Sequence, residues 1–230
     1  MSLMFMGDVH GERGAMKPFL ESDCKTLIQL GDFGFVWKYN DVKYNKFIRK
    51  FSKEYKNKEI LFVPGNHENY DVIDKCPMVK IYGGRARKIS PNIFALIRGE
   101  IYTIDGKTFL SIGGADSQDK LWRMPGVSWW EQERISARES VEIFNKIANL
   151  PIDMTIDYIV THTMPLSIAK KHFYVRENSE KTVEIFLDRV FDILKGRAKK
   201  WYCGHWHDSF EEEINGTKIK VFNIKEFRMD

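Results

Sequence analysis

Five short fragments carry most of the residues able to do chemistry: Gly7-Asp8-Val9-His10-Gly11, Gly31-Asp32-Phe33-Gly34, Gly65-Asn66-His67-Glu68, Thr161-His162-Thr163-Met164-Pro165 and Gly204-His205-Trp206-His207. Four of the five set their donors beside glycine, where the backbone turns sharply and a substrate can approach closely. Asp8, His10, Asp32, Asn66, His162, His205 and His207 are enough donors for two metal ions, and one aspartate carboxylate is able to bridge a pair of cations. A nitrogen and oxygen donor set without thiolate suits Mn²⁺, Fe or Zn²⁺ better than a soft metal. Five of the six histidines fall in these fragments. The sixth, His172, stands among Lys170, Lys171 and Tyr174 and reads as an ordinary surface residue. Singly, each fragment is no more than a polar loop. Jointly, in this order and each behind an apolar run, they point to one shared site.

Those runs are the elements that must position the donors. Leu3–Met6, Thr26–Leu30 and Ile60–Val63 are short and continuously apolar, the pattern of strands buried on both faces. Helices are predicted over residues 12–21 and 41–55, the second with Tyr44, Phe47, Ile48, Phe51 and Tyr55 at helical spacing. Strand–helix alternation at this rhythm argues for βαβ units with polar residues at the carboxyl ends of the strands. Further strands are predicted over 93–97, 100–104 and 108–112, with Asp105-Gly106 as a hairpin turn. Ser128-Trp129-Trp130-Glu131 has the form of a capping box and predicts a helix from Ser128 to about Ile147. Strands over 157–161 and 200–203, a helix over 179–194 and a final hairpin turning at Asn215-Gly216 complete the reading. No repeat, low-complexity segment or linker divides residues 1–230, so one domain is expected, with two facing sheets covered by helices.

Composition excludes several classes. The chain is 43% hydrophobic and 30% charged, which rules out disordered and collagen-like chains. No apolar run approaches the roughly 20 residues of a membrane-spanning helix. Met1–Met6 lacks the basic start and the length of a signal peptide. Cys24, Cys76 and Cys203 are odd in number, widely spaced and outside any CxxC pair, so free thiols and a cytoplasmic location are expected. Cys203 precedes Gly204-His205 but is expected to face the sheet core. The net charge, 36 − 32 = +4, decides nothing about partners by itself.

The ordered fragments resemble the signature of the calcineurin-like metallophosphoesterases: GDxHG, GD, GNHE, a later His before Pro, and GHxH, here running from Gly7 to His207. The resemblance implies a four-layer α/β/β/α sandwich, two mixed β-sheets flanked by helices, with a two-metal site where the strands end. Carried over residue by residue, Asp8, His10 and His207 would bind the first metal, and Asn66, His162 and His205 the second. Asp32 would bridge them, and His67 would be the catalytic histidine facing the phosphate. The resemblance further implies two divalent ions, Mn favoured over Fe or Zn, with attack on phosphorus by a hydroxide held between them.

The second fragment departs from the family's protein phosphatases, which extend it to GDxxDRG. Here Phe35 replaces the aspartate that partners the catalytic histidine, and Val36 replaces the phosphate-binding arginine. Arg123 or Lys120, in the loop Asp116–Arg123 behind Gly113-Gly114, is the candidate replacement on the phosphate. The eight Lys/Arg against two acids within residues 38–58, and the cluster Arg85-Ala86-Arg87-Lys88, read as solvated faces more readily than as polyanion sites. Trp122, Trp129 and Trp130 would either wall a pocket or pack in the core.

The expected activity is hydrolysis of phosphate monoesters, on a phosphorylated small molecule or phosphoprotein. A phosphodiesterase or nuclease is the alternative, although a chain of this length leaves little room for segments that grip nucleic acid. A non-catalytic protein-binding scaffold of the same fold is the third reading, which the full donor set opposes. No membrane partner is expected.

Overall fold

The computed structural model describes residues 3–37, 42–177 and 179–230, with backbone alone for 42–45. Among the described residues the strands are β1 (Leu3–Met6), β2 (Thr26–Gln29), β3 (Glu59–Phe62), β4 (Met78–Ile81), β5 (Gly84–Ser90), β6 (Ile93–Leu96), β7 (Glu100–Ile104), β8 (Lys107–Ile112), β9 (Ile156–Thr161), β10 (Ala198–Cys203), β11 (Phe210–Ile214), β12 (Thr217–Val221) and β13 (Phe227–Met229). The helices are α1 (Lys17–Glu21), α2 (Val42–Glu54), α3 (Tyr70–Ile73), α4 (Ala137–Ala148), α5 (Leu166–His172) and α6 (Thr182–Ile193).

Two mixed sheets form. The first runs β13-β1-β2-β3-β6-β5-β4 and the second β11-β12-β10-β9-β8-β7. Their centres are parallel, β1-β2-β3-β6 in one and β8-β9-β10-β12 in the other, and antiparallel strands close the edges. Period-2 alternation splits each central strand between two cores. In β1, Leu3 and Phe5 face the second sheet, while Met4 and Met6 face the helical side. The inter-sheet layer is aromatic: Phe5 stacks on Tyr158 at 5.0 Å and Tyr158 on Phe109 at 4.7 Å. One outer core packs Phe19, Phe47 and Phe51 of α1 and α2 against β1–β3 and β6. The other packs Ile143, Ile147, Phe186, Leu187 and Val190 of α4 and α6 against β8–β10. The layers are therefore α/β/β/α, as the sequence implied.

Several expectations shift. The helix expected over 12–21 divides into a 3₁₀ turn, Arg13–Met16, and α1. The one expected over 41–55 appears as α2, while residues 38–41 and the side chain of Tyr44 lie outside what is described. The helix expected from Ser128 begins instead at Ala137. Ser128 Oγ accepts from the Met124 N–H at 2.9 Å and closes a turn, whereas Ser136 Oγ accepts from the Glu139 N–H at 3.2 Å and caps α4. The S-x-x-E pattern at Ser128 is repeated at Ser136, and only the latter precedes an uninterrupted helical face. α5, the β4–β5 hairpin and β13 carry no continuous apolar run and add to the expected elements; Arg85, Arg87 and Lys88 lie on β5. Lys58, counted among the solvated cations, is buried, with its ammonium donating to the carbonyls of Phe19, Ser22 and Cys24.

Candidate metal centre and active-site cleft

Each donor sits just beyond the carboxyl end of a strand. Asp8 and His10 follow β1, Asp32 follows β2, and Asn66 and His67 follow β3 in the first sheet. His162 follows β9, and His205 and His207 follow β10, in the second. The site thus straddles the seam between the sheets. His10, Asp32, His205 and His207 have φ of 49°, 53°, 71° and 52°, in the left-handed region. Non-glycine residues there cost about 1–3 kcal/mol each, and the surrounding packing must impose the conformation. At Gly65 a Cβ would overlap Asp32 Oδ1 and His162 Nε2, and at Gly204 it would overlap Asp8 Oδ1. Glycine is needed at both positions so that the donors can close over the backbone.

Ligating atoms of Asp8, His10 and His207 lie within 4.8 Å of one another, as do those of Asp8, Asp32 and His162, and those of His10, Asp32 and His67. Asp8 Oδ2 is 3.1 Å from His207 Nε2, while its Oδ1 accepts from the His205 N–H at 3.0 Å. Asp32 divides its carboxylate between the two halves. Oδ1 lies 3.3 Å from His162 Nε2 and accepts from the His67 N–H at 2.7 Å; Oδ2 lies 3.9 Å from His10 Nε2. His205 packs its ring edge-on against His162 at 5.0 Å and lines the same cleft.

His162 Nδ1 lies 2.8 Å from the Leu30 carbonyl, which only an N–H can satisfy. In the neutral ring Nε2 then carries a lone pair. It faces Asn66 Oδ1 at 3.0 Å and Asp32 Oδ1 at 3.3 Å. Asn66 spends its amide N–H on Ser117 Oγ at 3.1 Å, which assigns Oδ1 to the site. Three acceptors converging in a buried place require a positive charge between them, either a proton or a metal ion. In the protein alone a proton takes that role. Burial opposes charge on His162, but the Asp32 carboxylate overrides it and pushes the imidazole up to about 10. Burial likewise opposes the charge on Asp32, yet His162 holds this carboxyl well below the usual range. Desolvation, then the neighbouring His162, holds the half-buried His205 well below its ordinary value. His207 is raised by its hydrogen bond to Asp8. The residues fit a pair of divalent ions.

Residues with no role assigned from sequence hold this arrangement. Glu68 is fully buried, raised well above the carboxylate range by desolvation, and accepts from the Phe33 N–H at 2.7 Å, fixing the loop behind Asp32. Glu133, pushed up to about 7 by burial, accepts from Ser117 N–H and Oγ–H and from Trp129 Nε1–H, so it orients the serine that orients Asn66. Glu68 belongs to the Gly65-Asn66-His67-Glu68 fragment, whereas Glu133 lies in none of the five and carries no sequence signal.

The donors open on a cleft of about 290 Å³ lined also by Gln118, Asp119, Arg123, Tyr174 and Trp206. Arg123 enters it: Nη2 lies 2.5 Å from His67 Nε2 and 3.2 Å from Nδ1, and Nη1 donates to the Asn66 carbonyl at 3.3 Å. Burial, followed by the opposing pull of Asp32 and the push of Arg123, leaves His67 below its ordinary value. Lys120 points elsewhere, pairing with Glu180 at 3.1 Å and lying 4.4 Å over the Trp129 ring. Phe35 and Val36 are buried in the outer core, Phe35 stacked on Phe47 at 3.9 Å. Trp129 and Trp130 are buried, while Trp122 is 87% exposed. Cys203 faces the core, and His172 pairs with Glu212 at 2.9 Å. A second cavity, about 310 Å³, lies behind Pro64 and contains none of the donors. No helix among the described residues is long and apolar enough to cross a membrane.

No curated protein sequence matches this chain significantly. Among solved structures it is similar to GAP50, the anchor in the inner membrane complex of Plasmodium, with a TM-score of 0.55 and 12% identity, covering 96% of this chain and 71% of that one. It is also similar to a dimetal phosphatase from Danio rerio (TM-score 0.49, 12% identity, 97% and 88% covered) and to a phosphopantetheinyl hydrolase from Mycobacterium tuberculosis (TM-score 0.46, 14% identity, 97% and 90% covered). At 12% identity the likeness to the first of these speaks to fold alone. The model of the calcineurin-like phosphoesterase family, hydrolases acting on phosphate esters, matches residues 1–209. With its fold, its ordered fragments and its convergent donors, the chain belongs to the calcineurin-like phosphoesterase family.

Proposed function

We propose that this chain is a dinuclear metal-dependent phosphatase acting on phosphate monoesters. The observation that carries the proposal is the meeting of acceptor atoms from both sheets at a cleft that also holds one guanidinium. In this reading Asp8, His10 and His207 hold one ion, Asn66, His162 and His205 the other, and Asp32 joins them. Bound there, two divalent cations polarise phosphoryl oxygens and supply a nucleophile near neutral pH. The oxygen and nitrogen donors, without a thiol, suit Mn²⁺.

The chain's own groups do the rest. Asp32 offers one oxygen to each half and fixes their separation. His67, anchored through its backbone N–H to Asp32, presents its imidazole to the cleft, where it protonates or hydrogen-bonds the leaving oxygen. Arg123 takes the place left by Val36 and meets the negative charge that grows on the phosphoryl oxygens. With two divalent ions bound, the small cleft, which also holds Arg123, would favour a dianionic monoester over a bulky monoanionic diester.

The test is kinetic. Metal-stripped protein reloaded with Mn²⁺, Fe²⁺ or Zn²⁺ is assayed on p-nitrophenyl phosphate and on bis(p-nitrophenyl) phosphate. The monoester is expected to turn over faster, and Asp32→Asn or His205→Ala to lower kcat/KM by roughly a hundredfold or more. Faster diester turnover would replace the reading with a phosphodiesterase. Absence of both activities, with no metal retained, would favour a scaffold.

A further inference from the structure

Asp119 is an acid at the mouth of a cleft read as binding an anion. It is half exposed, at 54%, yet its carboxylate lies 2.7 Å from Arg123 Nε, whose side chain is only 7% exposed. A carboxylate there repels phosphate and lowers affinity unless it performs a task that outweighs the repulsion. The local backbone shows the task. Asp119 precedes the single 3₁₀ turn Lys120–Trp122, in which the Trp122 N–H bonds the Asp119 carbonyl at 2.8 Å and the Arg123 N–H bonds the Lys120 carbonyl at 3.1 Å. That turn throws Leu121 and Trp122 outward, 95% and 87% exposed, and returns residues 119 and 123 to the same cleft.

We infer that Asp119 is a positioning residue: it grips Arg123 at Nε and, with Nη1 anchored on backbone carbonyls, thereby aims Nη2 at the reacting end of the cleft. Each guanidinium nitrogen is then directed. Nε faces Asp119, Nη1 the carbonyls of Asn66 and Ser128 at 3.3 and 3.5 Å, and Nη2 the His67 ring. An arginine can only donate, so the contact with His67 uses a lone pair of that ring. A phosphoryl oxygen arriving at the cleft competes for the same Nη2 donor, and its entry releases the His67 ring for the leaving group. The Asp119–Arg123 pair thus does from the β8 loop what the second fragment, with Phe35 and Val36, no longer does. The inference rests on the proposed phosphoesterase reading and on Arg123 meeting phosphate.

The alternative for Asp119 is mere neutralisation of Arg123, and the two roles predict opposite signs. If Asp119 positions, Asp119→Asn raises KM for p-nitrophenyl phosphate and the inhibition constant of inorganic phosphate, each by roughly tenfold or more, because a misaimed donor loses the productive geometry. If it only neutralises, the same change frees a positive charge, and both constants fall. Asp119→Glu, which keeps the carboxylate, should recover part of the loss under positioning. In an Arg123→Ala background, Asp119→Asn should have no further effect on either constant. Lower or unchanged constants in Asp119→Asn, or a full additive effect in the double variant, would overturn the inference. The Mn²⁺-loaded wild type is assayed in parallel. If it has no activity on either ester, the phosphoesterase reading fails. If it is active and Asp119→Asn matches it, only the positioning role fails.

Discussion

Asn66 Oδ1 stands 3.0 Å from His162 Nε2, although both atoms are acceptors once His162 Nδ1 has bonded the Leu30 carbonyl. In a buried place that arrangement persists only with a positive charge at its centre. A proton supplies the charge in the protein alone, so proton and cation compete for one position.

Binding of a cation to the folded state alone should therefore be visible in stability. At about a hundredfold excess over its dissociation constant, Mn²⁺ should stabilise the stripped protein by about 2.7 kcal/mol. In a chain of this size that is roughly 5–10 °C in melting temperature. Scanning calorimetry with and without EDTA measures it, and Asp32→Asn should remove most of the gain. Equal melting temperatures with and without Mn²⁺ would contradict the assignment.

Gly65→Ala should strike the site and spare the fold. The new Cβ would overlap Asp32 Oδ1 and His162 Nε2, at the junction of the two halves. Displacing either donor by about 1 Å should lower kcat/KM by roughly a hundredfold. The circular dichroism spectrum should keep its wild-type shape.

Phe35→Ala should do the reverse. Phe35 is 1% exposed and stacked on Phe47. Truncating a buried phenylalanine costs about 3–5 kcal/mol, to be read from urea unfolding. The activity of the remaining folded fraction should stay close to that of the wild type.

The pH dependence of stability should carry the mark of Glu184. Burial, then the neighbouring Asp116 carboxylate, pushes this acid up to about 8 from 4.5. The folded state therefore binds a proton that the unfolded state releases between those two values. The stabilisation is complete below about pH 4.5 and is lost as pH rises through about 8. The loss amounts to a few kcal/mol, at about 1.4 kcal/mol per unit. Glu184→Gln should flatten this slope in urea titrations between pH 5 and 8.5; an unchanged slope would assign it to other groups.

The strands that carry the donors were legible because both of their faces are buried. Leu3–Met6 and Ile60–Val63 are uninterrupted apolar runs for that reason, and their ends announce the fragments that follow. The β4–β5 hairpin was not legible, since β4 alternates half-buried and exposed residues at the edge of its sheet and β5 is rich in arginine and lysine. Ser128 misled because a capping pattern records only local hydrogen-bonding capacity, and that serine spends it on Met124. In the site, donor types and order could be read directly. The supports could not: Glu133 reaches Asn66 through Ser117, across elements that no sequence spacing relates. Arg123 was visible as a candidate, whereas Asp119 became meaningful only when one turn brought it to the guanidinium.

The donors are divided between the two sheets, with Asp8, His10, Asp32 and Asn66 on one and His162, His205 and His207 on the other. An ion that needs donors from both is a rivet through the seam. Prising the sheets apart would tear its coordination, so metal affinity and the stiffness of the aromatic layer around Phe5 and Tyr158 become one linked quantity. Amide hydrogens of β1 and β9 would then exchange more slowly when the rivet is in place, and the enzyme's working temperature would be governed by its metal supply as much as by its core.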